Sequence, residues 1–279
     1  CCMVVACADH GVYRQKVSAY PQSTTVGMVK SYVDVKGASA NALAHYCGAH
    51  MVVVDMGINA DMSDVPGLLH RKIAFGTKDI TEGAAMSRAE AIHAIEAGIE
   101  IAENKIKEGY RVFTVGEMGI ANTTASACIL GAFNRWNAVE VTGRGTNISD
   151  ARLLHKIEMV QKALDVNQPD PADGLDVLSK VGGFEFGCMT GVMLGAAANH
   201  CMTIIDGFNS TASAFIAKAL SEESVQYLMA SHLSLEQAHR KSLKAIGLTE
   251  YIDLDIRLGE AVGASIQKKI LDMALAVYK

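Results

Sequence analysis

The chain is poor in proline and in aromatic residues: it has four prolines and one tryptophan, and aromatics make up 6% of its 279 residues. So few prolines, all in loop contexts, exclude a polyproline linker or recognition arm. Charge of one sign is not concentrated either, because 25 basic and 30 acidic residues are interspersed for a net charge of −5. Without a basic block to neutralise phosphate backbones or a polybasic run to hold anionic lipid, nucleic acid is not an expected partner. A small ligand is expected instead. Long hydrophobic runs are also missing: the longest, Cys188 to Ile205, is broken by Asn199 and His200, so no membrane span is expected. Seven cysteines form an odd set without metal-ligand spacing, which argues against a disulfide framework and a zinc site. They are read as reduced, mostly buried thiols of a cytoplasmic protein. The chain opens inside an apolar run, Cys2 to Ala8, with no initiator methionine or charged leader, so no signal peptide is expected and residues are expected upstream.

What is present is an alternation of short β-branched runs with longer segments of helical period. That pattern predicts an α/β fold, a mostly parallel, doubly wound (Rossmann-like) sheet with helices on both faces. Strands are predicted near Met3–Ala8, Met51–Asp55, Arg111–Val115, Val139–Thr142 and Met202–Ile205. The firmest helix runs from Ser87 to Lys107, with Ser87 and Glu90 as a capping box, Ile92, Ile95, Ile99 and Ile106 as its apolar face, and Gly109 after its end. Further helices are predicted over Thr24–Tyr46, Ser149–Asp165, Thr211–Ala219, Ser234–Ile246 and Gly259–Val277. The division expected is an α/β nucleotide-binding and catalytic domain over 1–230 and a small helical subdomain over 231–279 that contributes a functional glutamate.

Ligands of such sheets bind at the carboxyl ends of the strands, and polar-plus-glycine clusters fall there. They are Ala8-Asp9-His10-Gly11, Asp55-Met56-Gly57, Gly116-Glu117-Met118-Gly119, Thr142-Gly143-Arg144-Gly145-Thr146 and Asp206-Gly207. A further glutamate, Glu260, follows Gly259 at a predicted helix start. Glycine beside a carboxylate lets backbone approach a ligand closely and leaves N–H groups for anions. The Gly143–Ile148 segment lacks the third small residue of a dinucleotide fingerprint and there is no Walker A sequence, which disfavours a nucleotide-dependent oxidoreductase.

Taken in order, Ala8-Asp9-His10-Gly11, Gly116-Glu117-Met118-Gly119-Ile120-Ala121-Asn122-Thr123-Thr124, Asn167-Gln168-Pro169, Gly174 to Glu185, Met189-Thr190-Gly191 and Arg257-Leu258-Gly259-Glu260 carry a specific likeness. The chain closely resembles the nicotinate-nucleotide:dimethylbenzimidazole phosphoribosyltransferases of cobalamin lower-ligand assembly, from its first residues to about Ala264. Members usually carry about sixty more N-terminal residues, in keeping with the abrupt start. The resemblance implies transfer of the 5-phosphoribosyl group of nicotinate mononucleotide to a benzimidazole nitrogen with inversion, by a homodimer without metal or other cofactor. A neutral pyridine ring leaves, so no departing pyrophosphate needs a cation. A base is needed for the proton on the second ring nitrogen.

By the same resemblance Glu260 is the catalytic base and Glu117 a second polar group near ribose or departing ring. The residues alone also allow Glu260 as a helix N-terminal carboxylate and Glu117 as a cap on the following helix. Gly119, Asn122, Gly143 and Gly145 are candidate backbone donors for phosphate, assisted by Lys156, Ser234 and Arg257. Lys156 is also readable as a solvated helix lysine, Ser234 as the N-cap of Ser-Leu-Glu-Gln, and Arg257 as the partner of Asp253 or Asp255. Tyr20 and Met28, with Met118 and Leu258 as walls, fit a flat apolar slot for an aromatic base, with core packing the alternative for all four. Asp9 and His10 are read as organising their loop by hydrogen bonds. Departures from the family pattern are Ala121, Asn147 and Ala261, each where glycine is frequent, together with Ala125 for proline and Val262 for a small hydroxyl residue. Bulk beside Glu260 points to a narrowed slot or a different ring, and a subunit of a heteromeric paralogue acting on a phenol or purine is the alternative reading.

Overall fold

The computed structural model describes residues 1–278. Six strands, β1 (Cys2–Ala8), β2 (His50–Gly57), β3 (Leu68–His70), β4 (Val112–Met118), β5 (Met202–Ile205) and β6 (Leu228–Ala230), form one sheet in the order β3-β2-β1-β4-β5-β6. Every pairing is parallel, with Val4 opposite Val52 on one side and Val115 on the other. The chain winds outward from β1 in one direction, then returns to β4 and winds outward in the other. This doubly wound order places the topological switch between β1 and β4, where a crevice opens at the strands' carboxyl ends.

Strand alternation explains why both faces are covered. Cys2, Val4, Ala6 and Ala8 of β1 enter one apolar core, while Met3, Val5 and Cys7 enter a second core on the opposite face. The first core is closed by α3 (Arg88–Lys107), α4 (Asn122–Asn134), α7 (Gly174–Val181), α8 (Phe184–Ala198) and α9 (Phe208–Leu220). The second is closed by α1 (Ser23–Lys30), α2 (Ser39–Cys47) and α11 (Val262–Tyr278). The remaining helices are α5 (Ala138–Val141), α6 (Asp150–Asn167) and α10 (His239–Ile246). All seven cysteines are free, and all but Cys1 are buried.

Several predicted elements change on folding. Val139–Thr142 is not a strand: Asn137 accepts the Glu140 N–H at 3.0 Å and Glu140 reaches back to Asn137 N, a reciprocal cap that starts the short helix α5. The helix predicted over Thr24–Tyr46 is interrupted by a π-turn at Ser31–Val35 and by Lys36, whose φ of 54° ends it. The capping box of α3 forms as expected, but Ile92 lies at the solvent edge. The buried stripe is Ala91, Ala94, Ile95, Gly98, Ile101 and Ala102, whose small members let α3 lie close on α8. The segment after β6 is not purely helical either, since β7 (His232–Ser234) and β8 (Ile252–Ile256) form a second, parallel two-stranded sheet. Ser234 therefore sits in a strand rather than capping a helix. Its N–H is taken by His239 Nδ1 at 2.8 Å, and α10 starts only at His239.

Candidate active site

At the end of β4, Glu117 is buried and held by two side-chain amides. Asn209 Nδ2 donates to Oε1 at 2.9 Å and Asn122 Nδ2 donates to Oε2. It caps no helix, because its partners are side chains. Burial pushes its carboxyl up to about 8, eased by Asn209 and raised further by the carboxylates of Glu185, Asp206 and Glu260. At neutral pH Glu117 is thus largely a neutral acid.

Glu260 reaches the same place from the other end of the sequence. It and Ala261 occupy successive left-handed positions, with φ of 67° and 62°, directly before α11. Such a conformation costs a non-glycine residue about 1–2 kcal/mol, so the surroundings must hold it. Two features do. Gly116, inside β4, has no side chain, and a Cβ there would overlap Ala261 N and lie 2.5 Å from Glu260 C, so the turn rests directly on the strand. Asp206, after β5, accepts the Ala264 N–H at 2.9 Å, and the Gly263 and Ala261 amides also hold its carboxylate. Burial nevertheless moves Asp206 up to about 7, those amides opposing the rise and the nearby Glu260 charge adding to it.

Glu260 is itself buried, and desolvation raises its proton affinity while Tyr32 works against the rise. The Tyr32 hydroxyl, buried beside it in the π-turn, opposes that rise by offering Glu260 a hydrogen bond and has no other partner among the described residues. A carboxylate in this setting is a stronger base than an exposed one. The Ala261 methyl points into the second core with Tyr32 and Ala264. The added bulk is thus absorbed by packing.

A second cluster lies beside the first. The Lys156 ammonium is fully buried, donating to Thr123 Oγ1 at 2.8 Å and to the Gly143 carbonyl at 3.1 Å. It is no solvated lysine: burial lowers its proton affinity, with Glu236 opposing the fall. Thr123 stands in the first turn of α4, and Gly145, at φ 53°, lies directly against it, a Cβ there coming 2.6 Å from Thr123 Oγ1. Of the candidate backbone donors, the Asn122 N–H is committed to the Gly119 carbonyl at 3.2 Å and the Gly145 N–H to Glu236 Oε1 at 2.8 Å. The segment carrying Tyr20 joins this cluster through Ala19 N–H, which donates to Thr146 Oγ1 at 2.9 Å.

The predicted base-slot residues are placed unequally. Met28 and Met118 pack at the margin of the second core, which also contains Ala261, whereas Tyr20 and Leu258 are largely exposed. Arg257 is exposed and forms no ion pair among the described residues; Asp253 pairs with Arg240 at 3.2 Å instead. Ser234 is buried, with its hydroxyl 3.4 Å from Glu236 N. Asp9 does organise its loop, accepting from Thr25 Oγ1 at 2.7 Å and Asn59 N–H at 2.9 Å. His10 instead forms a buried pair with Glu185, Nε2 to Oε1 at 2.5 Å. Burial alone would lower its pKa, but the Glu185 charge prevails and raises it. Among the described residues no three His, Cys, Asp or Glu side chains are grouped to hold a metal ion.

Residues 1–279 match the family model DBI_PRT, described as phosphoribosyltransferase. The chain is 45% identical over 272 residues to the nicotinate-nucleotide–dimethylbenzimidazole phosphoribosyltransferase of Geobacter metallireducens, covering 98% of this chain and 77% of that protein. It belongs to that phosphoribosyltransferase family. The enzyme of the same name from Chloroflexus aggregans is 46% identical over 275 residues, covering 99% of this chain and 78% of its own length. The crystal structure of the family member from Thermus thermophilus superimposes with a TM-score of 0.92 at 37% identity, covering 98% of this chain and 81% of that one.

Asp206, Asn209, Thr123, Tyr32 and Glu236 join the site without having been singled out as site residues in the sequence. Asp206 had a visible signal, a carboxylate closing a strand before glycine. Asn209 and Glu236 had none, because they meet Glu117 and Gly145 across 92 and 91 residues of sequence.

Proposed function

We propose that this chain transfers the 5-phosphoribosyl group of nicotinate mononucleotide to dimethylbenzimidazole or a closely related ring, giving the α-ribazole 5′-phosphate used for the cobalamin lower ligand. Membership of the transferase family supports the reaction. The observation that carries the assignment of roles is the pairing of Glu117 and Glu260, two buried carboxyls from distant segments meeting at the switch point with raised proton affinities.

In this reading one ring nitrogen of the acceptor forms the new bond to the anomeric carbon from the face opposite nicotinate. The bond to nicotinate breaks, and its electron pair returns to the pyridine nitrogen. The proton on the acceptor's other nitrogen passes to the Glu260 carboxylate, which holds it until solvent removes it. Glu117, neutral and fixed by Asn122 and Asn209, offers a hydrogen bond to ribose or the departing ring without placing a second negative charge beside the base. Lys156, Thr123 and the Gly143–Gly145 backbone form the phosphate cradle, with Gly119 at its edge and Ser234 behind it. Arg257, unpaired among the described residues, reaches for the nucleotide's anionic groups, while Tyr20, Met28, Met118 and Leu258 flank the acceptor ring. The division into a catalytic unit over 1–230 and a base-supplying segment over 231–279 follows from the same assignment. No described helix is long and apolar enough to cross a membrane, and we place the enzyme in the cytoplasm. The exposed Ile270, Met273, Leu275 and Val277 on α11 support a homodimer.

The deciding experiment is incubation of the protein with nicotinate mononucleotide and a panel of ring acceptors, measuring free nicotinate. Glu260→Gln should retain the wild-type melting temperature and lose turnover by a factor on the order of a hundred or more. Turnover like wild type at neutral pH removes Glu260 from the role of base.

A further inference from the structure

The phosphate cradle is already occupied by part of the protein. Glu236 Oε1 accepts the Gly145 N–H at 2.8 Å. Its other oxygen, Oε2, is buried and has no hydrogen-bond partner. It lies against the Gly143 Cα, so close that a Cβ on Gly143 would overlap it. On the other side of the loop a Cβ on Gly145 would come 3.2 Å from Lys156 Nζ. Carboxylate, lysine and the two glycines therefore share one small volume. The Glu236 charge is also the main one that opposes the desolvation of Lys156.

We infer that Glu236 is a resident carboxylate that occupies the phosphate cradle in the free enzyme and is displaced by the 5′-phosphate of the incoming nucleotide. The inference rests on the proposed reaction for the identity of its ligand. The physical case is substitution of one anion by another. A backbone N–H in a glycine loop beside a buried ammonium is the donor set that a phosphate oxygen takes, and here a carboxylate oxygen takes it. Phosphate brings three acceptor oxygens where Glu236 brings two, one of which finds no donor. Two anions cannot share a space this small without strong repulsion, so entry of phosphate requires Glu236 to leave.

The chain is built to let it leave. Glu236 lies in the bend between β7 and α10, outside both elements; the Ser234 hydroxyl is 3.4 Å from its backbone N–H and its carbonyl accepts the His239 N–H at 2.9 Å, so the backbone is held while the side chain is free to turn about its own bonds. Its carboxylate can swing out by side-chain rotation, leaving the β7–β8 pairing and the His239 N–H bond intact. The consequence is a cradle that is never empty. Lys156 keeps a counter-charge between turnovers, and the affinity for every 5′-phosphate, donor and product alike, is set below what the cradle alone would give. A carboxylate that returns to Gly145 helps expel the phosphorylated product.

Ribose 5-phosphate and inorganic phosphate are suitable probes, titrated by calorimetry into wild type, Glu236→Gln and Glu236→Ala. The glutamine keeps an acceptor for Gly145 and removes only the charge, and the alanine empties the space. Both variants should bind ribose 5-phosphate at least about tenfold more tightly than wild type, as expected for loss of a like charge within a few ångströms. In turnover the Michaelis constant for nicotinate mononucleotide should fall, and product release should slow. Unchanged or weaker binding in both variants, with melting temperatures like wild type, overturns the inference and makes Glu236 a support for the loop. Wild-type protein that releases no nicotinate with any acceptor would count against the reaction instead, because the binding measurement is independent of turnover.

Discussion

At the scale of single residues, the site is made by side chains placed where their ordinary behaviour is suppressed. Glu117 is a carboxyl kept neutral, Lys156 an ammonium taken from water, and Glu260 a residue in a conformation usually left to glycine. Ala121, Asn147 and Ala261, read in the sequence as departures from an expected glycine, have φ of 78°, 59° and 62°. The departures thus keep the left-handed backbone and carry its strain. Arg257 is the opposite case, an exposed cation to which the described fold gives no partner. If it meets the nucleotide's anionic groups in the ground state, Arg257→Ala should raise the Michaelis constant for nicotinate mononucleotide about tenfold and leave the turnover number within about twofold. Steady-state kinetics against donor concentration tests this, and an unchanged Michaelis constant removes Arg257 from the site.

At the scale of elements, the decisive contact is the Glu260–Ala261 turn lying on β4 at Gly116. Gly116→Ala would place a methyl group inside that turn, so the turn must lift and carry Glu260 with it. The expected cost is about 1–3 kcal/mol of stability, as for overpacking elsewhere, with a loss of turnover larger than any change in Michaelis constant. Urea melts with parallel kinetics would show it, and full turnover in a stable variant would mean that the base does not depend on this contact. The long β-branched strands and the capped helix α3 were legible because pattern and length agreed there. The three-residue strands β3, β6 and β7 were not, since so short a run has no period. Val139–Thr142 looked like a strand by composition, but the Asn137–Glu140 cap made it a helix. Of the site, the carboxylates and glycine clusters could be read because they end strands at one edge. Their supports could not, because Asn209, Asp206 and Glu236 act through contacts that only the tertiary fold creates.

At the scale of the molecule, the buried titratable groups link the site to stability. Glu117 and Asp206 have folded-state pKa values of about 8 and about 7, above their ordinary values of 4.5 and 3.8, and His10 is also raised above 6.5. Each binds its proton more tightly when folded, so each contributes stability at low pH that is lost as pH rises through its folded value. His232 and His239 act in the other direction. Burial lowers them to about 4 and about 3, so they favour the folded state above 6.5 and lose that contribution as pH falls toward those values. Below pH 6.5 the two groups of effects oppose each other. Above it His232 and His239 are neutral in both states, and the losses from Glu117, Asp206 and His10 are set against Lys156, whose lowered proton affinity adds stability as pH rises toward its ordinary 10.5. Each raised group still titrating between pH 6.5 and 8 removes about 1.4 kcal/mol per pH unit, and Lys156 acts against that loss. Glu117→Gln removes the contributor whose folded value is about 8. Its melting temperature should decline less steeply over that interval than that of wild type, whatever its absolute value. Melting curves at half-unit pH steps decide the matter: a slope unaltered by the substitution would mean that Glu117 is ionised in the folded protein and is not the neutral partner of the base.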